Sequence, residues 1–356
     1  MSKPGKNSSL RSVLAALPKI DLHRHLEGSL RLTTLREIAL EYQLDLPAQN
    51  IEDLRPHVQV TNDEPNFRNF LEKFRALRLF YQSPEIIRRF AYEVIEDAVK
   101  DNVQYLELRF TPAALAKTRG YALEEVTEWV FSAADEARRA FPSIEVGLIA
   151  SINRHESLEI AEEVTQIAIK YKDNGIIGLD LAGDEVNFVA APFHKMFLKA
   201  RDVGLGLVVH AGEWTGPATV RDALENLGVH RLGHGVRVVE DPAVAELARE
   251  RSVAFEVCVT SNLQTGVIQR LTDHPLREMM DMKLRTTLNT DDPSVSDITL
   301  TDEYQVVIED LGFTLDDVKT NIINAAACAF RPPEEQDRLV YKFKEALGMN
   351  SGAGPL

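Results

Sequence analysis

Two histidines one residue apart, His23 and His25, close the segment Asp-Leu-His-Arg-His at the end of a short apolar run. On a strand, positions i and i+2 point to the same face. Both imidazoles can therefore face one point and hold a cation, although a pair of exposed loop histidines has the same spacing. His210 follows apolar residues in Gly-Leu-Val-Val-His-Ala-Gly-Glu, where either a metal ligand or a hydrogen-bonded core histidine fits. Glu213 stands just past Gly212, placed to reach back over a pocket or simply to open a helix. His234 sits between Gly233 and Gly235, whose missing Cβ atoms permit close backbone approach; a turn histidine has the same neighbours. Asp291 and Asp292 are adjacent in Asn-Thr-Asp-Asp-Pro. Adjacent carboxylates repel unless a cation or hydrogen bonds hold them, and the competing reading is a solvated turn.

The elements that would position these residues are short β-rich runs at 19–23, 103–110, 144–152, 176–182, 205–211, 230–236, 253–259 and 284–289. Each is rich in Val, Ile, Leu or Phe, as strands buried on both faces of a parallel sheet are. Amphipathic stretches such as 85–100 and 123–140 separate them, with apolar positions three and four apart. Eight β–α alternations predict an α/β fold, a closed (β/α)8 TIM barrel, rather than an open doubly wound sheet. No Gly-x-Gly-x-x-Gly follows the first run, which speaks against dinucleotide binding. A single catalytic domain is expected over 10–350. About eighty residues separate the first run from the second, and connections of that length are usually functional. The segment 31–100 is read as a helical insertion capping the barrel mouth, with padding of the outer wall as the alternative.

In such barrels functional groups sit at the C-terminal ends of the strands. His23, His25, His210 and Asp291 then form a three-nitrogen, one-oxygen set that suits one Zn2+ per chain and leaves room for a water. Glu213 and His234 remain beside it as acid–base groups. The other histidines, His57, His155, His194, His230 and His274, fall in helical or loop contexts and are read as structural.

Among the 356 residues, 55 acidic against 40 basic give a net charge of −15, which excludes a nucleic-acid backbone as partner and suits a small neutral substrate. Two distant cysteines, Cys258 and Cys328, point to reduced thiols in a cytoplasmic protein. The polar N-terminus has no apolar core of signal-peptide length, and no run is long enough to span a membrane. Residues 1–9 and 351–356 are expected to be unstructured ends. Nothing in the sequence sets an oligomeric state.

At this point the sequence resembles the adenosine deaminase family from about residue 17 to 330. The matching segments are Lys-Ile-Asp-Leu-His-Arg-His-Leu-Glu-Gly-Ser (19–29), Phe-Leu-Glu-Lys-Phe (70–74), Tyr-Leu-Glu-Leu-Arg-Phe-Thr-Pro (105–112), Asp-Leu-Ala-Gly-Asp-Glu (180–185), His-Ala-Gly-Glu (210–213), Gly-His-Gly (233–235), Thr-Ser-Asn-Leu-Gln-Thr-Gly (260–266) and Asn-Thr-Asp-Asp-Pro (289–293). The resemblance implies zinc-dependent hydrolytic deamination of adenosine, and of 2′-deoxyadenosine, to inosine-type products and ammonia. It implies that His23, His25, His210 and Asp291 bind zinc, that Glu213 protonates purine N1, and that His234 orients the attacking hydroxide. Asp292 would bond N7, the Gly183 backbone would meet N3, His25 would also border the substrate, and Phe70 and Phe74 would form an apolar lid. Glu213 must be protonated to act, so its pKa should be raised by burial.

Glu27 departs from the family pattern, in which adenosine-specific members carry Asp there, against the ribose 5′-hydroxyl. Glutamate resembles the relatives that act on free adenine or on 5′-modified nucleosides such as aminodeoxyfutalosine. A carboxylate at that end also disfavours a phosphate, hence AMP. Two rival enzyme classes are addressed by the sequence. Two-metal hydrolases on this barrel carry a bridging lysine or glutamate at the fourth strand, which here ends Asp-Leu-Ala-Gly-Asp with no lysine at its tip. The Cys-x-x-Cys zinc deaminases need a motif this sequence lacks. A non-catalytic binding barrel would have lost a ligand or the acid, and neither is missing.

Overall fold

A computed structural model describes residues 8–349. The ends expected to be unstructured, and the segment read as free of a signal peptide, lie outside the described residues except for Ser8, Ser9 and Leu10. Those three open a helix, Ser8–Ala16, that buries Leu14.

Eight strands follow one another around a sheet in chain order: β1 (Lys19–His25), β2 (Val103–Phe110), β3 (Glu145–Asn153), β4 (Ile176–Ala182), β5 (Gly206–His210), β6 (Arg231–Gly233), β7 (Ala254–Val257) and β8 (Arg285–Leu288). Every neighbouring pair is parallel. The ring closes through Asp291, just beyond β8. His25 N donates to Asp291 O and Asp291 N donates to His23 O, both at 2.8 Å. The architecture is the expected (β/α)8 TIM barrel. The last three strands are shorter than their apolar runs because the chain leaves the sheet to turn over the barrel mouth. After β6, His234 (φ 58°) and Gly235 (φ 65°) break the extended backbone. After β7, the helix Val259–Gln264 begins almost at once.

Alternation along β2 explains the packing. Leu106, Leu108 and Phe110 are fully buried on one face, and Tyr105, Glu107 and Arg109 on the other. The charged residues inside the barrel are paired, as buried charges must be. Arg109 donates to Glu256 at 2.7 Å, and Arg231 donates to both Glu256 and Glu107.

The long β1–β2 connection holds the helices Leu32–Glu41, Ile51–Val58, Phe67–Leu77 and Pro84–Lys100. The last of these starts with Ser83 accepting from Ile86 N and Pro84 in the first turn, a sequence-coded N-terminus. It packs against β2 and the helix Leu123–Ala140, in the outer ring of the barrel. The part of the connection that reaches the mouth is therefore narrower than 31–100, because the apolar stripe of Pro84–Lys100 is spent on the ring. Cys258 and Cys328 are both free thiols. No helix among the described residues is long and apolar enough to cross a membrane.

Candidate active site

A cavity of about 500 Å³ opens among the C-terminal ends of the strands. His25, Glu27, Gly183, His210, Glu213, His234, Asp291 and Asp292 line it, and Phe70 and Phe74 come to it from the β1–β2 connection. His23 lies fully buried behind that wall. All the residues singled out from the sequence thus converge on one place.

At its base, Asp291 Oδ1 lies 3.2 Å from His23 Nε2 and 3.3 Å from His25 Nε2. His25 Nε2 is also 3.3 Å from His210 Nε2. His234 Nε2 faces the other carboxylate oxygen, Oδ2, at 3.8 Å, and Glu213 Oε2 at 3.6 Å. One ligand atom each from His23, His210, His234 and Asp291 falls within a 4.8 Å sphere of separations. Distance alone therefore groups His234, and not His25, with the other three. The two carboxylate oxygens divide them differently: His23 and His25 share Oδ1, whereas His234 looks at Oδ2.

Hydrogen bonds on the far sides of the rings show which nitrogens carry lone pairs. His23 Nδ1 lies 2.8 Å from Glu256 Oε2, and His210 Nδ1 lies 3.1 Å from Asp180 Oδ1. Both carboxylates stay ionised. Although burial pushes them upward, Arg109 and Arg231 hold Glu256, and His210 and Arg109 hold Asp180, well below the usual carboxylate range. A carboxylate only accepts, so each Nδ1 carries a proton, and each Nε2 is the nitrogen left to offer a lone pair to a cation. Among the described residues His23 Nε2 has no hydrogen-bond partner, and it faces a carboxylate oxygen. Imidazole nitrogens and a carboxylate gathered at this range are a donor set that fits a divalent metal.

Two residues of the cluster adopt a left-handed backbone that side chains other than glycine rarely take, His234 and Asp291 (φ 61°). Such strain persists where surrounding structure imposes it, and it gathers at functional sites. At Asp291 the two backbone bonds that close the barrel hold it.

Glu213 is buried, and burial, together with Asp291, Glu185 and Asp292, raises its pKa well above the carboxylate range. Its loop is clamped by Glu185, which accepts from the backbone N–H groups of Gly212 (3.1 Å), Trp214 and Thr215 (2.7 Å). Burial and the charges of Asp291 and Glu27 likewise push Asp292 up. Its Oδ1 is buried without a hydrogen-bond partner among the described residues. Gly28 makes room for it: a Cβ there would come within 1.8 Å of that same oxygen. Glu27 accepts from Thr111 N at 2.6 Å, and burial raises its pKa to about 7. Gly183 has φ 91°, which leaves its backbone bare at the cavity wall. Phe70 and Phe74 pack with ring centroids 6.1 Å apart. Their helix is moored to the segment after β7, where Asn66 N donates to Gln264 O and a Cβ on Gly266 would meet Pro65 O at 2.7 Å.

No role was read from the sequence for Asp180 and Glu256, which bond His210 and His23, or for Glu185, which holds the loop that carries Glu213. A signal was present: a charged residue inside an apolar strand, as in Ala-Phe-Glu-Val, has to pair with something in the barrel. His155, read as structural, is on the cavity wall. His274, read the same way, is buried and bonded to Asn262. By contrast, His230 Nδ1 accepts from Leu207 N at the N-terminal end of β6.

A closed (β/α)8 barrel with a histidine–aspartate cluster and a buried carboxyl group of raised pKa at its C-terminal mouth defines a metal-dependent hydrolase. The adenosine deaminase family model matches residues 18–346. The adenosine deaminase of Klebsiella pneumoniae (strain 342) is 37% identical over 328 residues, covering 92% of this chain and 98% of the relative. The chain belongs to the adenosine deaminase family. Among solved structures, the adenine deaminase of Arthrobacter aurescens superposes with a TM-score of 0.85 at 27% identity, covering 94% of this chain and 100% of its own. Arabidopsis ADAL complexed with GMP gives 0.83 at 27% identity, covering 94% and 98%.

Proposed function

We propose that the chain hydrolyses adenosine and 2′-deoxyadenosine to the inosine products and ammonia, using one zinc ion held by His23, His25, His210 and Asp291. The observation that carries this reading is a cavity in which a histidine–aspartate cluster stands beside two buried carboxyl groups, Glu213 and Asp292, whose pKa burial raises. Adenine carries an acceptor on either side of the C6 amino carbon, N1 and N7. Two acids beside a metal cluster match that pattern, and ionised carboxylates would not. His25 is preferred to His234 as fourth ligand because it shares the Asp291 oxygen that His23 faces.

When bound, the ion activates water as a Lewis acid, lowering its pKa to roughly 7. Glu213 gives its proton to N1 as oxygen adds to C6, so electron density entering the ring ends on an N–H rather than an anion. His234 hydrogen-bonds the attacking oxygen and steadies the charge on it. Asp292 donates to N7, and the backbone of Gly183 meets N3. The C6–N bond then breaks, and the amine leaves as ammonia with one proton from the added water, while the water's other proton returns to Glu213. Phe70 and Phe74 exclude bulk solvent, which strengthens each of these contacts.

Dialysis against a chelator is expected to abolish turnover, and zinc to restore it, with elemental analysis giving one metal per chain. Two tightly held ions would instead favour the two-metal class of hydrolase. Specificity rests on Glu27, one oxygen of which is committed to Thr111. Adenosine and 2′-deoxyadenosine are expected to exceed adenine in kcat/KM by at least about ten-fold, because sugar contacts supply binding energy that adenine forgoes. Initial rates on these substrates, AMP and aminodeoxyfutalosine decide it. Faster turnover of adenine or of the 5′-modified nucleoside would replace adenosine as the substrate. The free thiols support a cytoplasmic setting.

A further inference from the structure

Behind His234, on the side away from the cavity, buried groups form a line of hydrogen bonds that begins at a backbone amide. Leu276 N donates to His274 Nδ1 at 3.1 Å. A backbone N–H only donates, so His274 Nδ1 is the acceptor. His274 is buried, and burial lowers its pKa to about 3, so the ring is neutral. Its single proton is therefore on Nε2. That nitrogen lies 3.1 Å from Asn262 Oδ1, which accepts from it. The Asn262 amide cannot be turned round, because its NH2 group would then confront another N–H. Asn262 Nδ2 accordingly points at His234 Nδ1, 3.2 Å away. An amide NH2 has no lone pair to offer, so His234 Nδ1 must accept. With Nδ1 accepting, the ring carries its proton on Nε2, the nitrogen that faces Glu213 Oε2 and Asp291 Oδ2 in the cavity.

We propose that Asn262 and His274 are positioning residues: they lock His234 as the Nε2–H tautomer, so that it offers the reacting oxygen a donor and has no lone pair to give the metal. The lock explains how a histidine as close to the cluster as the ligands themselves stays out of the coordination set. Its consequence for catalysis rests on the assignment of His234 to the attacking oxygen.

The test is 15N NMR of metal-free, histidine-labelled protein, in which protonated and bare ring nitrogens have well-separated shifts. The wild type is expected to show His234 bare at Nδ1 and protonated at Nε2; a proton on Nδ1 overturns the lock without any variant being made. Asn262→Asp keeps shape and still accepts from His274, but a carboxylate draws a proton onto His234 Nδ1. A proton appearing there supports the proposal, and an Nδ1 that stays bare overturns it. In the zinc-loaded variant kcat is expected to fall about 10²-fold or more, as for loss of one donor to a developing oxyanion, with KM and zinc content within about two-fold. A merely structural role would leave kcat intact, since every hydrogen bond of the line is still made. If the proton moves and kcat does not, the positioning role falls, and with it the placing of His234 on the attacking oxygen, while deamination by Glu213 and the cluster stands. His274→Gln, which can still donate to Asn262 Oδ1, is expected to keep kcat within about three-fold, and His274→Met to lose at least ten-fold more; equal losses overturn the proposal.

Discussion

Glu213→Gln is expected to lower kcat for adenosine about 10²- to 10⁴-fold while leaving zinc content unchanged, the range over which a positioned general acid contributes. The amide fills the same volume and still bonds its neighbours, but it has no proton to give to N1. Steady-state kinetics beside elemental analysis of the purified variant checks it. Normal turnover would remove Glu213 from the role of acid. The pH dependence carries a second signature. Wild-type Glu213 works only while protonated, and burial with Asp291, Glu185 and Asp292 raises its pKa. Activity should therefore hold at neutral pH and fall as pH rises through that elevated value. The residual activity of the glutamine variant should lack this alkaline limb.

Asp291→Asn is expected to lose metal and activity together, in contrast to Glu213→Gln, which loses activity alone. The loss in kcat/KM at limiting zinc should reach at least about 10²-fold, the upper end for groups that merely support ligands. Asparagine is the better probe than alanine because residue 291 sits at φ 61°, a conformation that asparagine tolerates. Closure of the barrel uses only the backbone of that residue, so the fold should survive. Zinc retained at full occupancy after dialysis would show that Asp291 is not a ligand. If zinc were lost and the circular dichroism spectrum with it, the side chain would be serving the seam as well as the metal.

The barrel was legible because each buried strand repeats one signal, a short β-rich run before an amphipathic stretch. The convergence of His23, His25, His210 and Asp291 was legible because strand ends in a closed parallel barrel share one mouth. The extent of the cap was not, since 84–100 and 67–77 carry similar amphipathic patterns and only packing separates a ring helix from a pocket wall. His274 was read as structural for a related reason: its partner Asn262 matters only through His234, and the sequence does not encode that line of contacts.

By itself the sequence determined the periodicity of burial, the identity of every group able to bind a metal or move a proton, and the order in which the strands deliver them. Those are local properties, written in residue type and spacing. Tertiary structure decided the state of each group. Glu256 and Asp180 fix which nitrogen of His23 and His210 faces the cluster. Burial beside other carboxylates raises the pKa of Glu213 and Asp292. The barrel seam holds Asp291 in a strained backbone. Protonation, tautomer and strain depend on the field and contacts of residues far away in the chain, so they exist only once the barrel has closed.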